Sequence, residues 1–483
     1  MSRTPLTLAA CTAALAIGAQ AADLDFAKQP HTSHSAEING QTVQYRAFEN
    51  IPYVKNPVEA DYQTINIYIP EAYFNGGSIN GYTADTAPIF LPNKIGGYMP
   101  AKAGVPGQKG RGGEDKGADA MQLALSHGLV VASPGARGRT SPTGKAPAAI
   151  VDLKAAVRYL KANDKTMAGD ARKIISNGTS AGGALSVLLG ASANQKDYAG
   201  RLKALGAAEA DDSIFAVSAY CPISILEHAD AAYEWQFHGV NDYQKMNITM
   251  LDYNVERKLV KGTLTAAEKQ LSGSLKPQFA PYLNSLKLKN AQGKPLTLDK
   301  NGNGSFKDHI AALLAQSAQT ALDAGKDLSD RNWLTVSGGK VTAVDFDQYA
   351  AAAGRQKTPP AFDGVDLSTG ENQLFGSQTQ DKRHFTAFAA QNSTAPNAGR
   401  ADAQTVKMMS PMPYIAQTPT QHWRIRVGTN DRDTSLAVSA ILAAKLQNSG
   451  KSVDYALPWD VPHSGDYDLD ELFDWIDGIA KGE

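Results

Sequence analysis

Short, continuously apolar runs alternate with helical patterns along most of this chain, and that alternation limits its fold more than any other feature. "PIFLP" (Pro88–Pro92), "LVVAS" (Leu129–Ser133), "KIISN" (Lys173–Asn177) and "IFAVSAY" (Ile214–Tyr220) lack regular polar alternation. Strands covered on both faces, as in a parallel sheet, read this way. Between them, "PAAIVDLKAAVRYLKAND" places Ile150, Leu153, Ala156, Val157 and Leu160 on one helical face, and a second helix is expected from Ala181 to Ala193. "TINIYIP" (Thr64–Pro70) alternates apolar and polar residues, as an antiparallel strand near a sheet edge does. The order predicts the α/β class, with a mostly parallel central sheet flanked by helices.

The pattern breaks from about Pro222 to Arg400, where the chain turns polar and irregular. Amphipathic helices, a hairpin "WLTVSGGKVTAV" turning at Gly338-Gly339, and Pro359-Pro360 are read there. Strand and helix signals resume with "HWRIRVG" (His422–Gly428), a helix from about Ser435 to Leu446, "SVDYALP" (Ser452–Pro458) and a last helix near Tyr467 to Ile479. Residues 22–221 and 401–483 are therefore assigned to one sheet-centred core, and residues 222–400 to an inserted lid domain, an arrangement that a chain of 483 residues can hold.

Residues 1–21 read as a signal peptide: Arg3 precedes an apolar run from Leu6 to Gly18, and Ala19-Gln20-Ala21 supplies the small-residue cleavage pattern. The run is too short and too rich in alanine for a good membrane span, so the mature protein is expected to be secreted or periplasmic. A net charge of −1 with no basic stripe argues against nucleic acid or an anionic membrane as the main partner. Once the leader and its Cys11 are removed, Cys221 stands alone and no internal disulfide is possible. At the end of an apolar strand it reads as a small buried hydrophobe rather than a catalytic thiol.

"NGTSAGG" contains G-x-S-x-G as Gly178-Thr179-Ser180-Ala181-Gly182, after a strand and at the start of a helix. That setting is what a nucleophile elbow needs, because a sharp turn lifts the serine oxygen above the sheet and small neighbours let the backbone approach. A serine nucleophile requires a base, and the base an anion, which in the α/β-hydrolase fold follow in the order acid, then histidine. "GTNDRDTS" supplies Asp431 and Asp433, and "DVPHSGDYD" supplies His463, each in a loop leaving a strand's carboxyl end. The oxyanion hole is expected to use the Ala181 N–H and one from "NKIGGYMP", where Gly96 and Gly97 permit close approach.

"LDKNGNGSFKDH" has Asp299, Asn301 and Asn303 at alternate positions and Gly304 at the turn, as a calcium loop does, yet Ile310 stands where the loop's closing Glu belongs. The alternatives are a structural Ca²⁺ site and a plain polar turn before a helix. The serine chemistry itself requires no cofactor.

Taken together, "YQTINIYIP", "LPNKIGGYMP", "NGTSAGGALS", "AYCPI", "AYEWQFHG", "PAFDGVDLSTGENQLFG", "GTNDRDTS" and "PHSGDYD" resemble the bacterial tannases of subtype B, across nearly the whole mature chain. The resemblance implies an α/β-hydrolase fold with a large lid, and hydrolysis of the galloyl ester and depside bonds of polyphenol substrates to gallic acid. It implies Ser180, Asp431 and His463 as the catalytic triad, and Lys357, Glu371 and Asp433 as contacts to the galloyl hydroxyls. Asp433 has a second reading, as a cap for the helix near Ser435. Fungal-type tannases and feruloyl esterases join cysteines beside the triad serine and histidine. Here Thr179 and Pro462 stand at those positions, which sets the chain apart from that group. An esterase of the same fold acting on feruloyl or other carboxylic esters is the alternative. A binding protein that has abandoned catalysis is disfavoured, since all three triad residues are present.

Overall fold

The computed structural model describes residues 21–108, 118–251 and 254–482. Apart from Ala21, the expected signal peptide lies outside the described residues. Seven strands precede residue 222: β1 (Thr32–Ile38), β2 (Gln41–Pro52), β3 (Thr64–Pro70), β4 (Pro88–Pro92), β5 (Val130–Pro134), β6 (Asp170–Thr179) and β7 (Ala216–Tyr220). Two hairpins follow, β8 (Asp242–Leu251) with β9 (Asn254–Thr263), and β10 (Leu334–Ser337) with β11 (Lys340–Val344). The last strands are β12 (His422–Arg426) and β13 (Ser452–Ala456).

Nine of these strands form one sheet in the order β1-β2-β3-β5-β4-β6-β7-β12-β13, while each hairpin stays a separate sheet of two strands. From β5 to β13 neighbours are parallel, and β1 to β3 are antiparallel. β7 pairs directly with β12, so the chain between them adds no strand to the main sheet among the described residues. Parallel strands bring their carboxyl ends to one rim, and there the loops after β4, β6, β7, β12 and β13 converge.

β4 to β7 pass through the core with β4, β5 and β7 buried at every residue, which is why their sequences are apolar without regular alternation. β3 is antiparallel to both of its neighbours, as expected, yet its alternation does not mark an exposed face. It lies third from the sheet edge, and its polar residues are buried with partners: Asn66 Oδ1 accepts from Asn50 N at 2.8 Å, and Tyr68 Oη donates to Glu49 at 2.7 Å. The helices Ala148–Ala162 and Ala181–Ala191 cover the sheet near their expected bounds.

The inserted region packs in two ways. Trp235, Phe279, Phe306, Trp333 and Phe346 form an aromatic core against the helix Leu436–Asn448, with Trp235 Nε1 donating to Gly302 O at 2.9 Å. Phe362, Leu374, Phe375 and Phe385 instead join the core that surrounds the main sheet. The second group anchors a wall of the cavity described next.

Candidate active site

The turn from β6 into the helix Ala181–Ala191 is sharp enough to force Ser180 to φ 58° and ψ −121°. A side chain holds such a backbone only where its surroundings over-determine it. Ser180 N donates to Tyr220 O at 3.0 Å, and the flanking glycines have no room for a Cβ: one on Gly178 would lie 2.4 Å from Gly182 O, and one on Gly182 2.5 Å from Asn93 Oδ1. Asn93, at the end of β4, donates to Asn177 O, Gly182 O and Ser186 Oγ, which fixes the Gly96–Gly97 loop against the elbow.

His463 Nε2 lies 2.8 Å from Ser180 Oγ, and its Nδ1 lies 2.8 Å from Asp431 Oδ2. Asp431 is fully buried, and its other oxygen accepts from Asp433 N at 2.9 Å. The loop carrying His463 approaches so closely that a Cβ on Gly465 would meet Thr179 Oγ1 at 1.9 Å, and Asn177 Nδ2 donates to Asp466 Oδ1 at 3.0 Å. Burial pulls the imidazole's pKa down, but the charge and hydrogen bond of Asp431 outweigh it and raise His463 well above the usual range. Cys221 is buried as expected, with Sγ 3.8 Å from His463 Nε2 and donating to Ser464 O at 3.5 Å. Burial pushes its thiol pKa up, which keeps it a poor nucleophile.

Ser180 and His463 open on a cavity of about 3000 Å³ that is also lined by Gly96, Gly97, Lys357, Glu371 and Asp433. Ala181, buried behind Ser180, starts the helix, so its N–H is among the first-turn donors that have no partner inside the helix. Asp433 does not cap the next helix, because Ser435 does, accepting from Ala437 N. Its carboxylate sits 3.4 Å from His463 Nε2 and 3.9 Å from Lys357 Nζ, and accepts from Gln356 Nε2 at 2.8 Å. The Lys357 ammonium also lies 4.1 Å from the centre of the Phe362 ring. Glu371 stands in the first turn of the helix Gly370–Leu374, on the cavity wall.

The family described as BD-FAE matches residues 99–261. A tannase from Fusobacterium nucleatum is 53% identical, with a TM-score of 0.90 over 95% of this chain and 99% of that one. A tannase from Lactobacillus plantarum is 47% identical, with a TM-score of 0.90 over 95% of this chain and 100% of that one. This chain belongs to the tannase family. A tannin acyl hydrolase solved in complex with ethyl gallate is 47% identical, with a TM-score of 0.89 over 95% of this chain and 99% of that one. No curated protein matches this chain.

The tannase sheet, with its flanking helices and its return to β12 after the insertion, is an α/β-hydrolase fold. Residues that sequence reasoning passed over hold this tannase's site in shape. Tyr233 Oη donates to Arg432 O at 3.0 Å and accepts from Gln356 N and Lys357 N at 3.0 and 3.1 Å, tying the Lys357 segment to the Asp431–Asp433 loop. Arg355 forms a fully buried ion pair with Glu234 from the same helix, Leu226–Phe237. Arg139 lines the cavity, donates from Nε to Gly97 O at 2.7 Å, and bonds Gln373. Its place in "GARGRT", after β5 on the same rim, was the available signal.

Asp299, Asn301 and Asn303 lie elsewhere, and none lines the cavity. Asp299 Oδ1 accepts from Asn301 N at 2.8 Å and from Asn303 N at 3.0 Å, while Lys307 Nζ donates to Asn303 Oδ1 at 3.1 Å. The turn is thus closed by the protein's own donors.

Proposed function

We propose that this chain hydrolyses galloyl esters and depsides to gallic acid through an acyl-enzyme on Ser180. The observation that carries this reading is that the Ser180–His463–Asp431 chain opens on the same cavity as Lys357, Glu371 and Asp433. In the first half-reaction Ser180 Oγ attacks the ester carbonyl while His463 Nε2 takes its proton, and Asp431 holds the imidazolium at Nδ1. The oxyanion is met by the Ala181 N–H and by an N–H of the Gly96–Gly97 loop. Collapse breaks the bond to the alcohol, which leaves with the proton from His463. Water then repeats the sequence, with His463 as base, and gallic acid departs as Ser180 recovers its proton. No cofactor enters these steps.

The three adjacent phenolic hydroxyls of a galloyl ring suit two carboxylates and an ammonium: phenols donate to Glu371 and Asp433 and accept from Lys357. A site built on such contacts penalises a ring without them, by up to roughly 10⁴- to 10⁵-fold in kcat/KM. Methyl gallate, methyl ferulate and methyl benzoate turned over side by side test the reading: gallate is expected to lead and benzoate to be very poor. Lys357→Ala or Glu371→Ala should lower activity on methyl gallate and narrow the gap to benzoate. Equal turnover of the three esters, or unchanged selectivity in both variants, favours a general esterase instead. The leader at residues 1–21 sends the mature enzyme to the periplasm or beyond, with cleavage near Ala21 or Ala22, which N-terminal sequencing of exported protein checks.

A further inference from the structure

Behind the Glu371 wall of the cavity, a second serine, histidine and aspartate are joined in a chain. His384 Nδ1 lies 2.7 Å from Asp363 Oδ1, and His384 Nε2 lies 2.9 Å from Ser393 Oγ, with His384 and Asp363 fully buried. Asp363 Oδ1 also accepts from Asn372 Nδ2 at 2.7 Å, and Oδ2 accepts from Phe385 N at 2.9 Å, Thr386 N at 2.7 Å and Thr386 Oγ1 at 2.8 Å. Ser393 Oγ accepts from Ala395 N at 3.3 Å, has Val365 O at 3.4 Å and Ala395 O at 3.5 Å as acceptors, and lies off the cavity lining.

Three members of this node, Asn372, Ser393 and Asp363, sit beside residues that do face the cavity. Asn372 follows Glu371 on the short helix capped by Thr369, and Ser393 stands between Asn392 and Thr394, both of which line the cavity. Asp363 itself precedes Gly364, Val365 and Asp366, which line it too, and Thr394 N donates to Val365 O at 2.8 Å. Through Phe362 N and Asp363 N, which donate to Asp230, the node is fastened to the helix Leu226–Phe237.

We propose that Asp363, His384 and Ser393 are positioning residues that set Glu371 and the wall around it for the acyl ring, without acting on the reacting bond. The proposal rests on the galloyl reading above. A buried carboxylate with five donors is rigid because every displacement leaves a donor unpaired, and here those donors come from two separate segments, Asn372 and His384–Thr386.

The test compares wild type with Ser393→Ala, Ser393→Thr, His384→Gln and Asp363→Asn. The measurements are KM and kcat on methyl gallate and methyl benzoate, the labelling rate of Ser180 by a small phosphonate, and the melting temperature. Ser393→Ala removes the outermost hydroxyl, with its contacts to His384, Val365 O and Ala395, but leaves Asp363 and its five donors in place, so it stays informative if Asp363→Asn does not fold. Its KM for methyl gallate is expected to rise several-fold, with kcat and the labelling rate unchanged, and Ser393→Thr should restore KM by returning the hydroxyl. Folded His384→Gln and Asp363→Asn should raise KM further, by about tenfold or more. A fall in kcat or labelling at constant KM overturns the proposal by placing the node on the reacting atoms. Unchanged KM in every folded variant overturns it by reducing the node to a folding element. A wild type that does not favour gallate over benzoate overturns the galloyl reading instead, a result visible before any variant is made.

Discussion

Ser180–His463–Asp431 and Ser393–His384–Asp363 have nearly the same hydrogen-bond lengths, 2.8 and 2.8 Å in the first and 2.9 and 2.7 Å in the second. Their surroundings differ at every other point. Ser180 sits at φ 58° on an elbow between strand and helix and faces a large cavity, whereas Ser393 lies on an irregular segment off that cavity. The Asp431 carboxylate serves the imidazole and one backbone N–H, and the imidazole still touches solvent-accessible space. Asp363 is occupied by five donors, and its histidine is sealed. Distances alone therefore do not make a nucleophile. Access for a carbonyl, a strained turn and donors poised for an oxyanion do.

The comparison breaks most sharply on the serines. Ser180→Ala and His463→Ala are each expected to lower kcat on methyl gallate by about 10⁴-fold or more, and the double variant by no more than the worse single one, because attack and proton transfer are one unit. Ser393→Ala should leave kcat unchanged, because its hydroxyl lies off the cavity that Ser180 and His463 face. Multiplicative losses for Ser180 and His463, measured in steady state, show that the pair has been misassigned.

The acids give the next largest contrast. Asp431→Asn should cost roughly 10⁴-fold in kcat, because an amide favours the wrong imidazole tautomer. It should also move the acid limb of the pH profile. His463 must be neutral to act as base, so activity rises with pH through its pKa, which Asp431 holds high against the opposing effect of burial. Without that charge the burial effect remains, and the limb shifts to lower pH. Asp363→Asn should leave the limb where it is. An Asp433→Asn variant more damaging than Asp431→Asn exchanges the two acids, a question the geometry poses because Asp433 faces the Nε2 side of the same ring.

The elbow and the sheet were legible because they rest on local rules. Apolar runs mark the buried strands, and Gly178 and Gly182 mark a turn where a Cβ has no space. β8 and β9 were not legible, because the residues of this separate hairpin, "DYQKMNITML" and "NVERKLVKGT", mix charges with apolar residues in no clean period of two. β1 was missed for a related reason, being mostly exposed at the sheet edge. Lys357 and Glu371, which line the cavity, were singled out only through the family resemblance. The Lys357 segment is held by Tyr233 and lies beside the Glu234–Arg355 pair, contacts 124 and 121 residues apart in sequence that leave no local pattern. The Asp299–Asn303 turn shows the converse, a local motif easily read, in which Asp299 Oδ1 accepts from the N–H groups of Asn301 and Asn303.

The smallest expected effect concerns the helix that holds both chains. On Leu226–Phe237, Asp230 accepts from Phe362 N and Asp363 N, and one turn later Tyr233 Oη bonds Arg432 O, Gln356 N and Lys357 N. Tyr233→Phe preserves the buried ring and removes only this junction. Leaving two N–H groups and a carbonyl without their partner costs about 1 to 3 kcal/mol, part of which falls on folding and part on the bound state. The Lys357 segment should loosen relative to the Asp431–Asp433 loop. KM for methyl gallate is then expected to rise about fivefold to tenfold, with kcat within about threefold and phosphonate labelling of Ser180 unchanged. Methyl benzoate, which lacks the hydroxyls proposed to meet Lys357 and Asp433, should show a smaller change in KM. If kcat falls instead and KM stays, Tyr233 serves the Asp431 loop more than the acyl pocket, and the helix belongs to the reacting chain alone rather than to both.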